Sequence, residues 1–180
     1  MAPRIRTTLT GSGNWSLDLQ LYGVVTHIIE SDTDYIRVHD CSDMGGPYLR
    51  GSYPTDGDFE PWWGFRSRDG WVLAQDWEAP FDFRVYLIDW RVPETPCLSD
   101  TLSVADFYLS AIPLENQALF LNENGLLRSY PIENGQFGQE LHMPAAGGSR
   151  MILSDDVLRI YFRSGVAEYV VNEGMAPPFQ

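Results

Sequence analysis

The chain has 180 residues, with 25 acidic against 12 basic side chains, a formal charge of −13, and Arg at every basic position. A net-negative chain without Lys is poorly built to neutralise nucleic-acid phosphates or to rest on an anionic membrane, so neither is expected as a partner. Schiff-base and P-loop chemistry, which need an amine, are excluded as well.

The length fits one domain over 1–180 and is enough to bury a core without staples. Aromatics make up 13% of the chain, and 16 Gly and 12 Pro punctuate it, a balance that favours β structure. Met1 to Trp15 contains Arg4 and Arg6 but no apolar core of the signal-peptide kind, and no run approaches the about 18 apolar residues of a membrane helix. A cytoplasmic protein is the default expectation, or a periplasmic or extracellular one if a leader has been trimmed.

The first periodic signal is Trp15, Leu17, Leu19 and Leu21 alternating with Ser16, Asp18 and Gln20, the period of a half-buried strand. Val24 to Ile29 continues as β structure. The polar stretch Glu30 to Asp34 turns the chain, and Tyr35, Ile36 and Val38 return as the second arm of a hairpin. From Cys41 to Gly70 the pattern lapses into Gly- and Pro-rich turns, with short strands expected at Tyr48 to Tyr53 and Trp62 to Arg66. Trp71 to Asp76 and Phe83 to Arg91 form the next pair. In the second arm Phe83, Val85 and Leu87 share one face while Tyr86, Ile88 and Trp90 share the other, so this strand is expected to be covered on both sides.

Ser99-Asp100 followed by Leu102, Ala105, Leu109 and Ile112 has a cap residue and helical spacing, and predicts a short helix near 100–110. Val104, Phe107 and Tyr108 would suit a strand equally well. The last third reads as strand, turn, strand, turn: Ala118 to Leu121, Leu126 to Pro131, Met151 to Leu153, Val157 to Phe162 and Val166 to Val171. Segments 118–137 and 150–171 share an outline with a period of about 32 residues, and 24–41 and 71–91 read as earlier copies with longer insertions. The expected fold is therefore all-β, with at most one short helix near 100–110. Its antiparallel hairpin meanders stack as a propeller-like, superhelical or sandwich arrangement. No WD or kelch signature is present.

Four groups of residues could carry chemistry. His27 and His39 face one another if the hairpin turns about Thr33, the placement needed to share a metal ion, although a slip of one residue separates them. Partly exposed strand histidines are the simpler reading, and no cofactor is expected. Cys41 with either histidine could form a thiol–imidazole pair, but no family signature surrounds it. Cys41 and Cys97 are expected as two reduced, buried thiols. His142 reads as a surface loop residue, and Gly147-Gly148-Ser149 as a short loop without the context of a phosphate site.

Asp56, Asp58 and Glu60 alternate in a Gly-containing loop that runs into Trp62 and Trp63. Such a loop can anchor a protein partner, because Trp is enriched at interface hot spots. The same residues can form a ledge for a sugar, with rings stacking on C–H faces and carboxylates accepting hydroxyl protons. The nucleophile elbow, zincin, Walker and dinucleotide-binding motifs are all missing, so the sequence supports no enzyme assignment. The leading expectation is an acidic module that occludes a more basic protein partner, as an inhibitor or toxin-immunity protein does. A carbohydrate-binding module, or a structural subunit of a virion or other assembly, are the alternatives.

Overall fold

The structure is a computed structural model, and it describes residues 14–16, 27–31, 35–40, 48–55, 66–68, 70–79, 82–106, 108–142, 147–154 and 157–170. Its strands form four antiparallel sheets that follow one another along the chain. The first sheet holds β1 (Asn14–Ser16), β2 (His27–Ser31), β3 (Tyr35–Asp40) and β4 (Tyr48–Pro54) in sequence order. The second holds β5 (Arg66–Arg68), β6 (Trp71–Ala79), β7 (Asp82–Asp89) and β8 (Cys97–Val104), again in order. The third runs β9 (Tyr108–Leu114), β10 (Gln117–Asn122) and β11 (Leu127–Glu133), with β12 (Gln136–Phe137) and β13 (Leu141–His142) sharing the far edge of β11. The fourth is β14 (Gly148–Ser154), β15 (Val157–Phe162) and β16 (Gly165–Val170).

Each sheet is a meander of antiparallel neighbours, and in the third sheet the strands are joined by tight polar turns at 115–116, 123–126 and 134–135. The first strands of successive sheets lie side by side, β5 against β9 and β9 against β14. This is how blades of a propeller stand around an axis.

The core is divided into three seams, one between each pair of successive sheets. Ile36 and Val38 of β3 meet Val72, Ala74 and Ile88 of the second sheet. The alternate residues of that second sheet, Trp71, Leu73, Val85 and Leu87, turn the other way and meet Tyr108, Phe120 and Tyr130 of the third. The third sheet in turn sends Ile112, Leu119, Leu121 and Leu127 against Met151, Leu158 and Ile160 of the fourth. A strand buried on both faces must be apolar at odd and even positions alike, and β7 is such a strand, as its sequence predicts. Close approach fixes small residues at the seams. A Cβ at Gly51 of β4 would lie 2.2 Å from the carbonyl oxygen of Pro93, in the loop between β7 and β8.

Several expectations need correction. Among the described residues there is no helix, and the segment predicted to be one is the end of β8, a bend at 105–106 and the start of β9. Pairing with β7 and β10 satisfies the backbone on both sides of that bend. Alternation also wins over helical spacing, with Leu102 and Val104 turned to the same seam as Phe83. Cys97 is free and exposed at the start of β8 rather than buried, while Cys41 lies outside the described residues. His142 is in the two-residue strand β13 opposite Arg128, and Gly148-Ser149 opens β14 rather than forming a loop. The 32-residue similarity joins the second and third strands of the third sheet to the first and second strands of the fourth.

Candidate functional site

Among the described residues, a dense group of interacting polar side chains lies on the seam between the second and third sheets. Arg128 stands on β11 opposite Phe120 of β10, among residues that are otherwise apolar. Its Nη2 donates to Asp106 Oδ2 at 2.5 Å and its Nη1 to Glu140 Oε2 at 3.1 Å. Asp106 is supplied by the bend between β8 and β9, and Glu140 by the segment before β13. One guanidinium thus ties the entrance of the third sheet to its far edge, and its forked donors suit two carboxylates at once. Asn122 Nδ2 adds a bond of 2.9 Å to Asp106 Oδ2, while Asn122 Oδ1 accepts from the backbone N of Leu126 at 2.8 Å and closes the β10–β11 turn.

Behind this cluster sit two tyrosines. Tyr130 Oη donates to Glu140 Oε2 at 2.7 Å, and the Tyr108 and Tyr130 hydroxyls lie 3.4 Å apart. Burial raises the Tyr108 pKa far above its usual value, and the Tyr130 hydroxyl adds to that shift. Burial likewise raises Tyr130, and its bond to Glu140 works in the same direction. At Arg128 burial opposes the charge, but the attraction of Glu140, Tyr108, Tyr130 and Asp106 outweighs it and the net shift is upward. From the second sheet, Gln75 Oε1 accepts the backbone N of Tyr108 at 3.3 Å.

Chemically the cluster is closed on itself. Both carboxylates are held by a cation, the phenols are kept neutral, and a neutral phenol beside an engaged carboxylate is a poor nucleophile. This arrangement positions strands.

In the sequence Arg128 falls inside the repeat-like segment 118–137 and belongs to no motif. The signal available was a cation at a core-facing position of an apolar strand, which demands a partner carboxylate. The identity of those carboxylates, 22 and 12 positions away, depends on how the loops fold back and could not be read locally.

The residues expected to form a site are dispersed. Asp56, Asp58, Glu60, Trp62 and Trp63 all lie outside the described residues. The β2–β3 register pairs His27 with Asp40 and Ile28 with His39, one residue away from the pairing that would set the two histidines opposite each other. A slip of one residue assigns positions 27 and 39 to alternate faces, so the shared-metal geometry fails. Among the described residues no three His, Cys, Asp or Glu side chains are gathered as a metal site.

The exposed acids tell a different story from the buried ones. Glu115, Glu123 and Glu133 stand exposed at three successive turns of the third sheet, between β9 and β10, β10 and β11, and β11 and β12. Beside Arg128, further described arginines are bonded to carboxylates. Arg50 bonds Asp40, Arg91 bonds Asp89, and Arg159 bonds Glu168 across β15 and β16. The ion pair Asp89–Arg91 also lies against Trp71, with the Arg91 guanidinium 4.4 Å from the ring centroid.

No family model and no curated protein sequence matches the chain. Among solved structures it is similar to the computationally designed Ika4 protein, at 11% identity and a TM-score of 0.50, covering 91% of this chain and 100% of that one. It is also similar to the WD40 domain of SCAP from fission yeast, at 13% identity and a TM-score of 0.52, covering 85% of this chain and 40% of that one. A chain in the S. cerevisiae structure of Dbp5 bound to Nup159, Gle1, IP6 and ADP matches at 10% identity and a TM-score of 0.53, covering 86% and 40% respectively. The chain therefore spans well under half of the two natural chains and the whole of the designed one. At such identities the likeness concerns the fold, and the fold is all-β and propeller-like.

Proposed function

We propose that the chain is an acidic binding module that occludes a more basic protein partner, in the manner of an inhibitor or a toxin-immunity protein. The observation that carries this reading is the charge of −13 combined with where the described charges lie. Arg50, Arg91, Arg128 and Arg159 are each bonded to a carboxylate, whereas Glu115, Glu123 and Glu133 project from turns. Successive turns of a meander lie at opposite ends of the sheet, so Glu115 and Glu133 share one end, where a partner would approach, and Glu123 stands at the other. An array of like charges accelerates encounter with an oppositely charged surface and discourages wrong partners. Asp56, Asp58 and Glu60 would add to that field, with Trp62 and Trp63 as the apolar anchors.

The test is binding to the proteins encoded beside this one, followed at rising ionic strength. The expected partner is basic, and its association rate falls by roughly tenfold or more as salt screens the acids. Glu115→Gln, Glu123→Gln and Glu133→Gln together lower the association rate, and Trp62→Ala with Trp63→Ala raises the dissociation rate. A set of neighbours that bind nothing, or bind without sensitivity to salt, removes the reading.

A further inference from the structure

Among the described residues, no further sheet packs on the outer face of the first sheet or of the last. On the last sheet the register groups Leu153, Leu158 and Tyr169 on the face that meets the third sheet, together with Met151 and Ile160. The alternate positions form the open face: Ile152, Val157, Tyr161, Val166 and Val170. Val166 is 52% exposed and Val170 58% exposed. At the other end of the stack, Ile36 and Val38 point into the first seam, and their alternates Tyr35, Arg37 and His39 face away, with Leu49 opposite His39. Tyr35 is 40% exposed and Leu49 58%.

A sheet with apolar residues on both faces needs a cover on both, and every interior face of this stack has one. The two open faces also differ in charge from the rest of the chain. Against the acidic surplus, Arg37 stands opposite Glu30 in the register, Arg159 is bonded to Glu168 and Arg150 is in excess, so two like-charged copies can approach here.

We propose that a second copy of this chain covers these faces, the last sheet of each copy docking on the first sheet of the other, so that two stacks close one ring. Ring size supports two copies. The chain covers 40% of the WD40-domain chain it resembles, and two copies approach that length. Such a contact joins two different surfaces, and a head-to-tail contact repeated around a two-fold axis closes without leaving a free face. It extends the packing already present in the three seams: a fourth seam of the same kind is made twice, between copies. This inference is independent of the partner reading above, because it uses the ends of the stack rather than the turns.

Light scattering on the full chain tests it. The wild-type protein should have the mass of two chains, and the two-chain fraction should grow with salt as the mutual repulsion of two −13 copies is screened. The double variant Val166→Glu with Val170→Glu should fall to the mass of one chain while keeping the wild-type far-ultraviolet spectrum. Leu49→Glu should do the same from the other end. Val92→Glu, at a loop position equally exposed, should leave the two-chain mass unchanged. Mixing the last-sheet variant with Leu49→Glu restores one unaltered contact, so the mixture should recover two-chain mass that neither variant shows alone. This recovery holds the proposal to account even if one variant folds poorly. A wild-type mass of one chain at every concentration and salt would overturn it, since the faces would then be covered within the chain or by another protein. A ladder of higher masses, or a mixture that stays at the mass of one chain, would overturn it too.

Discussion

The third sheet takes part in two seams of opposite character. Toward the second sheet it presents Tyr108, Phe120, Tyr130 and Phe137, with ring centroids 4.6 to 6.4 Å apart and a charged cluster at one end. Toward the fourth it presents Ile112, Leu114, Leu119, Leu121 and Leu127, packed on Met151, Leu158 and Ile160. Both surfaces come chiefly from β9, β10 and β11, split by the two-residue period of the pleat in β10 and β11 and by a bulge near the start of β9, which puts Tyr108 on the face opposite Ile112 and Leu114. The aromatic seam is directional, since rings prefer particular angles and each phenol needs a partner. The aliphatic seam has few such demands and rests on area and shape. Polar bonds cross both seams: in the aliphatic one the Gly148 backbone N donates to the Gly125 carbonyl at 3.2 Å and Ser110 Oγ to the Met151 carbonyl at 3.5 Å. Trp71 Nε1 donates to the Glu115 carbonyl at 3.0 Å, the Phe137 backbone N donates to Asp100 Oδ2 at 2.8 Å, and both cross the aromatic seam. The lesson is that ring geometry constrains the aromatic seam more tightly than shape alone constrains the aliphatic one.

The sharpest way to break the contrast is at the centre of each seam. Phe120 is fully buried, stacked on Tyr108 and edge-on to Tyr130. Phe120→Ala should cost about 3–5 kcal/mol, because the void is walled by rings that cannot pivot into it. Leu158→Ala, in the aliphatic seam, should cost about 2–4 kcal/mol, because unbranched and flexible neighbours such as Met151 can partly fill the gap. Urea midpoints of the two variants measure the difference. A larger loss for Leu158→Ala would mean that the directional seam is the softer one.

The charged cluster offers the next largest effect. Removing Arg128 leaves Asp106 and Glu140 facing each other without their cation. Because these groups are part-exposed, water screens some of the penalty, and Arg128→Met should cost about 2 kcal/mol at neutral pH. Combining Arg128→Met with Asp106→Asn and Glu140→Gln should recover much of the stability at neutral pH. If the triple variant is no better than the single one, the guanidinium acts through packing rather than charge.

These effects also mark how far the sequence could be read. The meanders were legible because alternation and turn residues are local: β15 falls on Val157–Phe162 as expected, and β4 and β11 within a residue or two of their expected ends. The double burial of β7 was legible for the same reason. Failures came where a local pattern had two solutions. Ser99 to Ile112 satisfied helical spacing and strand alternation together, and only the free edges of β7 and β10 decided between them. A register one residue away from the expected one was enough to part His27 from His39. The Arg128 cluster was illegible for a third reason: its members come from one strand, one bend and one loop, and nothing in their spacing brings them together. Residues 56, 58, 60, 62 and 63 remain the sequence's own candidates for contact with a partner.

High pH probes the aromatic seam selectively. Tyr108 and Tyr130 both have pKa values raised by burial in the folded protein. In the unfolded chain a phenol ionises near pH 10. Below that pH both states hold the proton and the stabilisation is fully present. As pH rises past it, the unfolded chain loses protons that the folded chain keeps, and stability drains away. Tyr108→Phe removes one of these groups, so its urea midpoint should fall less steeply than the wild type's between about pH 9.5 and 11. Leu158→Ala should keep the wild-type slope despite its lower stability. Parallel slopes for Tyr108→Phe and wild type would show that the seam opens before the phenol titrates.

The smallest predicted effect tests whether the polar bonds across the aromatic seam act through geometry. Ser99 Oγ of β8 donates to the Gly135 carbonyl at 2.6 Å, and Gly135 holds a left-handed φ of 79° in the turn between β11 and β12. Ser99→Ala removes one part-buried bond and should cost about 1 kcal/mol. Gly135→Ala should cost more, about 1–2 kcal/mol for the left-handed backbone alone. Its new Cβ would also lie 2.5 Å from Ser99 Oγ. Once Ser99 is alanine that collision is gone and the lost bond is counted only once. The double variant should therefore be less destabilised than the sum of the singles. A double-mutant cycle by urea titration reads this directly, since residues in contact couple while distant ones add. Simple additivity would mean that the turn moves away from β8 on its own.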